Sequence, residues 1–220
     1  SKVSVNKKIV QKPSFKVSDE LVELDDGHVY VSRAAYKLKN FLPLLPFDIK
    51  GMRALDIGAS TGGFTEVLLL GGVASVTAVD VGSSQLHEKL RSDPRVSSIE
   101  NQDIRTFESE SRFDLITCDV SFISLQHILK AVDALGSRYM ILLFKPQFEV
   151  GKDSKRDKHG VVADKKAIGS ARMKFEDSCS LMGWNALLAE ESSIKGKEGN
   201  IEYCYCLLYT ADSADDTLPG

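Results

Sequence analysis

The chain has 220 residues, of which 43% are hydrophobic and 27% charged, and a formal net charge of -3. This length and composition are typical of one large globular domain, or of one domain with a small addition, and they exclude a collagen, a coiled coil or a largely disordered chain. The longest unbroken apolar run, Tyr139–Phe144, is far shorter than the roughly 20 residues of a membrane helix, so we expect a soluble protein with no membrane partner.

The first 50 residues are predicted to precede the main domain. Residues 1–25 contain short alternating segments typical of β-strands, too small to hold a core alone. Residues 26–50 are predicted to form a linker and a helix, with Ser32 as the N-cap and Pro43 and Pro46 ending the helix.

From residue 51 to residue 210 the predicted strands and helices alternate. Strands are predicted at residues 52–57, 74–81, 96–100, 113–119, 139–145, 184–189 and 201–209, and helices at 64–70, 85–91, 125–135 and 165–182. This alternation predicts an α/β fold with a doubly wound, mostly parallel sheet covered on both faces. Residues 211–220 form an acidic tail.

Cysteine spacing and charge distribution indicate which kinds of site and partner to expect. The four cysteines have no zinc or redox spacing, which favours buried thiols, no metal site and a reducing, cytoplasmic location. Residues 1–16 carry five lysines and no acid, and residues 151–174 carry eight Lys or Arg against three Asp. These basic segments favour docking onto a polyanion, although most short charged runs are simply solvated loops.

Glycine and aspartate residues follow the first three strands of the predicted sheet. The turn after the first strand is glycine-rich, but its spacing differs from the dinucleotide fingerprint. Ligands of such sheets bind beyond the carboxyl ends of the strands, where Asp80 is placed to accept the ribose hydroxyls of an adenosine and Asp103 its amino group. Two interpretations are open: a binding site for S-adenosylmethionine as cofactor, or turns that contain these residues by chance. The coincidence of several such positions favours the cofactor site. The predicted cofactor-binding residues are Gly58, Ala59, Ser60, Thr61, Gly62, Gly63, Phe64, Asp80, Asp103 and Asp119.

Two charged residues end the fourth and fifth strands, Asp119 and Lys145. Burying such charges is costly unless they are paired. They therefore form either an ion pair at the sheet edge or a reaction site beside a cationic methyl donor. Ser60, Ser121 and Gln147 are polar candidates for the same site, or for plain loop roles.

Five segments in chain order carry a family resemblance: Ser32–Leu38, Ala59–Thr65, Cys118–Leu125, Lys145–Glu149 and Gly199–Tyr203. Together they resemble the TlyA-type (haemolysin A family) ribosomal RNA 2′-O-methyltransferases of the wider FtsJ-like class. The resemblance implies a Rossmann-like, S-adenosylmethionine-dependent enzyme that methylates a cytidine ribose in ribosomal RNA or a ribosomal subunit. It also implies that residues 1–25 are the end of an S4-like RNA-binding module that begins before Ser1. The implied catalytic residues are Lys37, Asp119, Lys145 and Glu202.

Lys145 is the best candidate for the base, because a lysine gives up its proton when another cation and a low dielectric surround it. Lys37 supplies such a cation, and Asp119 and Glu202 would orient the lysines. We expect a monomer. Two alternatives remain: a small-molecule methyltransferase, which would not need the basic segments, and a membrane-active haemolysin, which no spanning segment supports.

Overall fold

The chain divides into two compact units, residues 1–30 and 31–220, in the computed structural model. The structure describes residues 28–151 and 154–210 in full, and residues 2–5, 8–10 and 22–25 as backbone strands. The predicted acidic tail, residues 211–220, lies outside the described residues.

Three short strands are described in the first unit: β1 (Lys2–Val5), β2 (Lys8–Val10) and β3 (Val22–Asp25). β1 lies in the middle and pairs antiparallel with both neighbours. The short alternating segments of the sequence do form strands. Their origin in an S4-like module stays a prediction.

The described strands of the second unit form one sheet with the order β6-β5-β4-β7-β8-β10-β9. They are β4 (Arg53–Ile57), β5 (Ser75–Val79), β6 (Val96–Ile99), β7 (Leu115–Cys118), β8 (Tyr139–Phe144), β9 (Trp184–Glu191) and β10 (Tyr203–Tyr209). Strands β4 to β8 run parallel, whereas β10 is antiparallel to both β8 and β9. The prediction of a doubly wound, mostly parallel sheet is confirmed. The antiparallel edge forms because β9 and β10 are joined by a loop rather than by the helical crossover that parallel strands need.

The helices pack in two groups on this sheet. Helix α1 contacts α2, which lies on β4 and β5, whereas α6 contacts α5, β9 and the 3₁₀ turn Leu125–His127. The described α-helices are α1 (Ala35–Phe41), α2 (Gly63–Leu70), α3 (Glu88–Arg91), α4 (Leu129–Ala134), α5 (Pro146–Glu149) and α6 (Lys165–Leu181).

Strands β7 and β8 are buried along nearly their whole length, as expected for parallel strands covered on both faces. Phe175 of α6 packs on Phe144 and Tyr205, with ring centroids 5.5 and 5.0 Å apart. This core holds the ends of β7 and β8 in place, and the residues that follow those ends are the charged ones singled out from the sequence.

The predicted N-cap at Ser32 is wrong. Helix α1 begins at Ala35, and Ala34 at its N-cap position makes no side-chain cap. The Ser32 hydroxyl is buried without a hydrogen-bond partner in the described structure. It lies against Gly63, where an added Cβ would overlap it. The hydroxyl therefore faces the start of α2 rather than its own helix.

Two other helices are shorter than predicted. Of residues 85–91, only Glu88–Arg91 are helical, and His87 Nδ1 starts this turn by accepting a hydrogen bond from Lys89 N at 3.2 Å. The predicted helix over 125–135 is divided into a 3₁₀ turn and α4. The His87 cap lies at the start of the first of these helices, whereas Ile128, at the N-cap position of α4, makes no side-chain cap.

Candidate active site

The loops after β4 and β7 approach each other closely at the centre of the sheet. The strand order reverses between these two neighbours, which is where open α/β sheets bind ligands. Gly58 has a φ of +76°, and a Cβ there would lie 3.0 Å from the Asp119 carbonyl oxygen and 3.1 Å from Val120 Cγ1. A glycine lets the two loops come this close and adopts the left-handed backbone without strain.

Two cavities open above this point. Their volumes are about 710 and 460 Å³, both within the range of small-molecule sites. They share the lining residues Gly58, Ser60, Asp119, Ser121 and Phe122. Because the larger and the smaller cavity meet at these residues, a ligand in one can present a group to a ligand in the other.

Asp80 holds the glycine-rich loop beside the smaller cavity. Its Oδ2 accepts a hydrogen bond from Ser60 N at 2.8 Å, and its Oδ1 accepts one from Gly82 N at 2.7 Å. Each carboxylate oxygen has a further lone pair, and Asp80 lines the cavity. This carboxylate and the close approach at Gly58 fit the ribose of an adenosine ligand.

The predicted cofactor residues are divided between the cavities. Asp80 and Asp103 line the smaller one, whereas Ala59, Thr61, Gly63 and Phe64 line the larger one. Gly58, Ser60 and Asp119 line both. Gly62 lines neither.

Gly62 instead permits the packing of α3 against the start of α2. Its φ is +96°, and an added Cβ would overlap the Leu90 side chain. This glycine therefore shapes the loop without touching either cavity.

The Asp103 carboxylate accepts hydrogen bonds from Arg105, a residue that the sequence analysis did not single out. Its Oδ1 accepts hydrogen bonds from Arg105 N at 2.9 Å and Arg105 Nε at 3.0 Å, and its Oδ2 accepts one from Arg105 Nη2 at 2.5 Å. The hydrogen bonds from the Arg105 side chain are the main reason why the pKa of Asp103 falls to about 2. Asp103 is thus much less free than Asp80 to accept from an adenosine.

Four charged side chains form a continuous chain at the wall of the larger cavity. Lys145 Nζ lies 2.5 Å from Asp119 Oδ1. Lys37 Nζ lies 3.7 Å from Asp119 Oδ2 and 2.7 Å from Glu202 Oε2. None of these side chains is more than 11% exposed. Two lysines balance two carboxylates, which makes their burial tolerable.

Polar side chains hold both ends of this chain. Lys145 Nζ donates to Ser121 Oγ at 2.9 Å, and Gln147 Nε2 donates to Glu202 Oε1 at 3.2 Å. Lys37 comes from α1, whereas the other charged residues stand at strand ends. The two polar residues were open candidates on the sequence, and the structure brings both to the charged side chains.

The nearby thiols are poor nucleophiles. Cys118 directly precedes Asp119, and Cys204 lies in β10. Burial raises the pKa of each thiol to about 12, so both stay protonated near neutral pH. The amines and carboxylates are therefore the groups that can move a proton here.

A further buried acid, Asp56, lies in β4 and is not among the predicted site residues. Burial raises its pKa to about 6, and the negative charge of Asp119 adds to this effect. Hydrogen bonds from Thr65 Oγ1 at 2.7 Å and Thr117 Oγ1 at 2.9 Å act in the opposite direction. The sequence could have marked Asp56 as a buried acid. After Arg53, it is the one charged residue in an otherwise apolar strand.

Basic side chains surround the larger cavity. Arg156, His159 and Lys197 contribute to its lining. Arg156 and His159 belong to the basic segment 151–174, whereas Lys197 was not predicted. The position of Lys197 close to Glu202 in the sequence could have indicated that it lies at the site. The side chains of the other basic segment, residues 1–16, lie outside the described structure.

Phe122 is an exposed aromatic side chain where the two cavities meet. It is 92% exposed and has a φ of +66°, a conformation that is strained for a bulky residue. Its ring centroid lies 5.4 Å from that of Phe148. The site therefore offers a flat apolar surface beside the charged chain.

Comparison with known proteins identifies the family. The model of the FtsJ-like methyltransferases matches residues 30–209. The chain belongs to the FtsJ-like methyltransferase family. This FtsJ-like chain is 56% identical over 201 residues to a Campylobacter jejuni protein named 23S rRNA (cytidine-2′-O)-methyltransferase TlyA, covering 88% of the chain and 79% of that relative. The resemblance inferred from the sequence is confirmed.

Two further relatives carry different names. A Mycobacterium tuberculosis protein named 16S/23S rRNA (cytidine-2′-O)-methyltransferase TlyA is 40% identical over 211 residues, covering 92% of this chain and 78% of that protein. A Brachyspira hyodysenteriae protein named Hemolysin A is 37% identical over 212 residues, covering 91% of this chain and 86% of that protein. In the part of the present chain that the structure describes, no helix has the length and apolar character needed to cross a membrane.

Proposed function

We propose that the protein transfers the methyl group of S-adenosylmethionine to the 2′-hydroxyl of a cytidine ribose in ribosomal RNA. The observation that carries this proposal is the buried chain of Lys145, Asp119, Lys37 and Glu202 where two cavities meet. The names of the relatives at 56% and 40% identity support the ribosomal RNA target and the cytidine. Membership in a methyltransferase family supports the methyl donor predicted from the sequence.

The smaller cavity and the glycine-rich loop would hold the cofactor. Bound S-adenosylmethionine supplies an electrophilic methyl group on a positively charged sulfur. Asp80 would accept the ribose hydroxyls, and Gly58 lets the ligand pass close to the backbone. Asp119 lines both cavities, and its carboxylate would face the positive charge of the sulfur.

Lys145 is the proposed base. The amine of Lys145 would accept the proton of the 2′-hydroxyl while the new carbon–oxygen bond forms and the carbon–sulfur bond of the methyl donor breaks, which leaves an uncharged thioether. Asp119 contacts the Lys145 amine at 2.5 Å and orients it. Glu202 contacts Lys37 at 2.7 Å and holds it in place. The chain of contacts thus keeps Lys145 in one position, and such positioning contributes much of the rate enhancement in enzymes.

The rim of the larger cavity suits an RNA substrate. The exposed ring of Phe122 can stack on an unpaired base, and Arg156 and Lys197 can contact phosphates. All four charged residues come from one chain, so we propose a monomer. We propose a cytoplasmic location, where ribosomal subunits are available and the described cysteines, all free, remain reduced.

The domain organisation is part of the same proposal. Residues 1–25 would belong to an S4-like module that helps to bind RNA, and residues 26–50 would connect it to the methyltransferase domain, residues 51–210. The strands β1 to β3 are consistent with a small β-rich module.

The two alternatives have less support. A small-molecule methyltransferase would not need a basic rim with Arg156, His159 and Lys197. The haemolysin alternative reflects a name carried by relatives such as the Brachyspira protein, and relatives with methyltransferase names are more similar.

The test uses labelled S-adenosylmethionine, purified protein and unmethylated ribosomal subunits. Methyl groups should appear on a cytidine ribose, and Lys145→Ala should reduce the single-turnover rate by about 10² to 10⁴ while the fold and cofactor affinity stay near normal. Lys130→Ala, which removes an exposed lysine of α4, is the matched control. If Lys145 only balances Asp119, its loss should instead lower stability by roughly 3 to 5 kcal/mol and leave the rate of the folded protein intact. That outcome, or the absence of any methylated ribose with the unaltered protein, would refute the proposal.

A further inference from the structure

The Gln147 side chain leaves a hydrogen-bond acceptor unused beside the larger cavity. Gln147 lies in α5, two residues after Lys145, and lines this cavity. Its Nε2 donates to Glu202 Oε1 at 3.2 Å. Its Oε1 is buried and has no hydrogen-bond partner among the described residues. Buried acceptors are rarely left unpaired, and those that are call for an explanation.

The chemistry of its neighbour determines which way this amide points. Glu202 forms an ion pair with Lys37 at 2.7 Å, and a carboxylate in an ion pair accepts hydrogen bonds and has none to donate. The amide nitrogen of Gln147 must therefore face Glu202, and the carbonyl oxygen must face away from it. The main chain is held as well, because Arg156 Nη2 donates a hydrogen bond to the main-chain carbonyl oxygen of Gln147 at 3.2 Å.

The lining of the two cavities favours a donor from the substrate over one from the cofactor. Gln147 lines the larger cavity and is not part of the smaller cavity that holds Asp80. A phosphate group has no proton to donate near neutral pH, so a phosphate does not satisfy this oxygen. An N–H or O–H group of the target nucleotide does.

The position of Gln147 favours the base over the reacting hydroxyl. Gln147 contacts Glu202, at one end of the charged chain, whereas Lys145 stands at the other end. The reacting 2′-hydroxyl must lie at the Lys145 end. A donor that reaches Gln147 therefore comes from a more distant part of the same nucleotide, and the exocyclic amine is the N–H donor that cytosine offers there.

We propose that Gln147 determines the choice of nucleotide by accepting a hydrogen bond from the 4-amino group of the target cytosine. Uracil has a carbonyl oxygen at this position, which would place two acceptors against each other. A site built to bind a donor rejects an analogue that lacks it, because the buried polar group is then left unpaired. This inference rests on the proposed methylation of a cytidine.

The experiment compares ribosomal subunits that carry cytidine or uridine at the mapped target position. Single-turnover methyl transfer is measured with the unaltered protein and with Gln147→Met, which keeps the length of the side chain and removes the amide. The unaltered protein should prefer cytidine by roughly 10- to 100-fold. Gln147→Met removes the contact with Glu202 for both substrates and the proposed hydrogen bond for cytidine alone, so the cytidine rate should fall by about 10- to 100-fold more than the uridine rate and the preference should disappear.

A control separates reading the base from supporting Glu202. A Cβ added at Gly196 would lie 2.5 Å from Glu202 Oε1, so Gly196→Ala disturbs the same carboxylate and keeps the Gln147 amide. This variant should slow both substrates equally and keep the preference. If Gln147→Met behaves in that way too, Gln147 acts only through Glu202 and the inference is wrong.

The unaltered protein alone can test the choice of nucleotide, by its rates on cytidine and uridine subunits, even if a variant does not fold. Equal rates on cytidine and uridine would overturn the role of Gln147 and leave the proposed function standing. No transfer to either kind of subunit would instead reject the proposed function itself.

Discussion

Replacing Asp56 with asparagine is expected to change how stability depends on pH. Asp56 is fully buried in β4, and hydroxyl groups of Thr65 and Thr117 donate to its two oxygens at 2.7 and 2.9 Å. Asparagine has nearly the same shape and carries no charge at any pH. The substitution therefore removes the titration of this one group while most of the packing stays.

The magnitude follows from the pKa. Burial raises the pKa of Asp56 from 3.8 to about 6, a difference worth about 3 kcal/mol. Below pH 4 the carboxyl is protonated in both the folded and the unfolded chain, and its full contribution is present. As the pH rises from about 4 to 6, the unfolded chain loses the proton first. The free energy of unfolding then falls by about 3 kcal/mol from this group and stays at that lower level at higher pH.

The assay is denaturant unfolding at several pH values between 4 and 7.5, for the unaltered protein and Asp56→Asn. The difference in unfolding free energy between the two proteins should shift by about 2 to 3 kcal/mol in favour of the variant as the pH rises. Glu108→Gln, which removes an exposed carboxylate, is the control for general charge effects. A difference that stays constant from pH 4 to pH 7.5 would refute the reasoning.

Three further outcomes are expected at the site. Asp80→Ala should weaken S-adenosylmethionine binding by roughly 10- to 100-fold in calorimetry, and Asp103→Ala should weaken it less, because the Asp103 carboxylate is already held within the chain; equal losses would contradict this ranking. Gly58→Ala should lower both cofactor affinity and thermal stability, since a Cβ would lie 3.0 Å from a backbone oxygen, whereas Gly151→Ala, with nothing within 4 Å, should lower neither. Lys197→Ala should reduce the slope of log RNA affinity against log salt by about 1 in a filter-binding titration, and an unchanged slope would mean that this lysine contacts no phosphate.

Much of the fold is determined by local sequence patterns. The alternation of apolar strands and helices predicts the parallel part of the sheet, because strand period, helix period and turn residues each act within about ten residues. The glycine-rich turn at Gly58 and the acid at Asp80 follow from the rule that ligands bind at strand ends. Both lie beside the cavities. Asp119 and Lys145 were predicted from the strand ends, Lys37 and Glu202 came from the family resemblance, and the catalytic roles of all four remain proposals.

Contacts between distant residues were decided by the tertiary structure alone. The Ser32 hydroxyl turns towards α2 instead of capping α1, and Arg105 occupies the carboxylate that the sequence pattern reserves for a ligand. Arg105 competes for the Asp103 carboxylate, whereas the Ser32 hydroxyl is buried without a hydrogen-bond partner among the described residues. The spacing of residues in the sequence indicates which polar groups could bind a ligand. It does not indicate which other side chains of the folded protein contact those groups.

The same reason applies to the buried polar groups. The sequence marks Asp56 as an acid in an apolar strand, but its pKa depends on burial between β5 and β7, on the hydroxyls of Thr65 and Thr117 and on the charge of Asp119. The unused oxygen of Gln147 depends on Glu202, which is 55 residues away in the chain. The sequence by itself determined which elements form and where polar residues follow them. The tertiary structure decided which of those residues pair, because pairing and desolvation depend on neighbours that chain folding alone brings within hydrogen-bond distance.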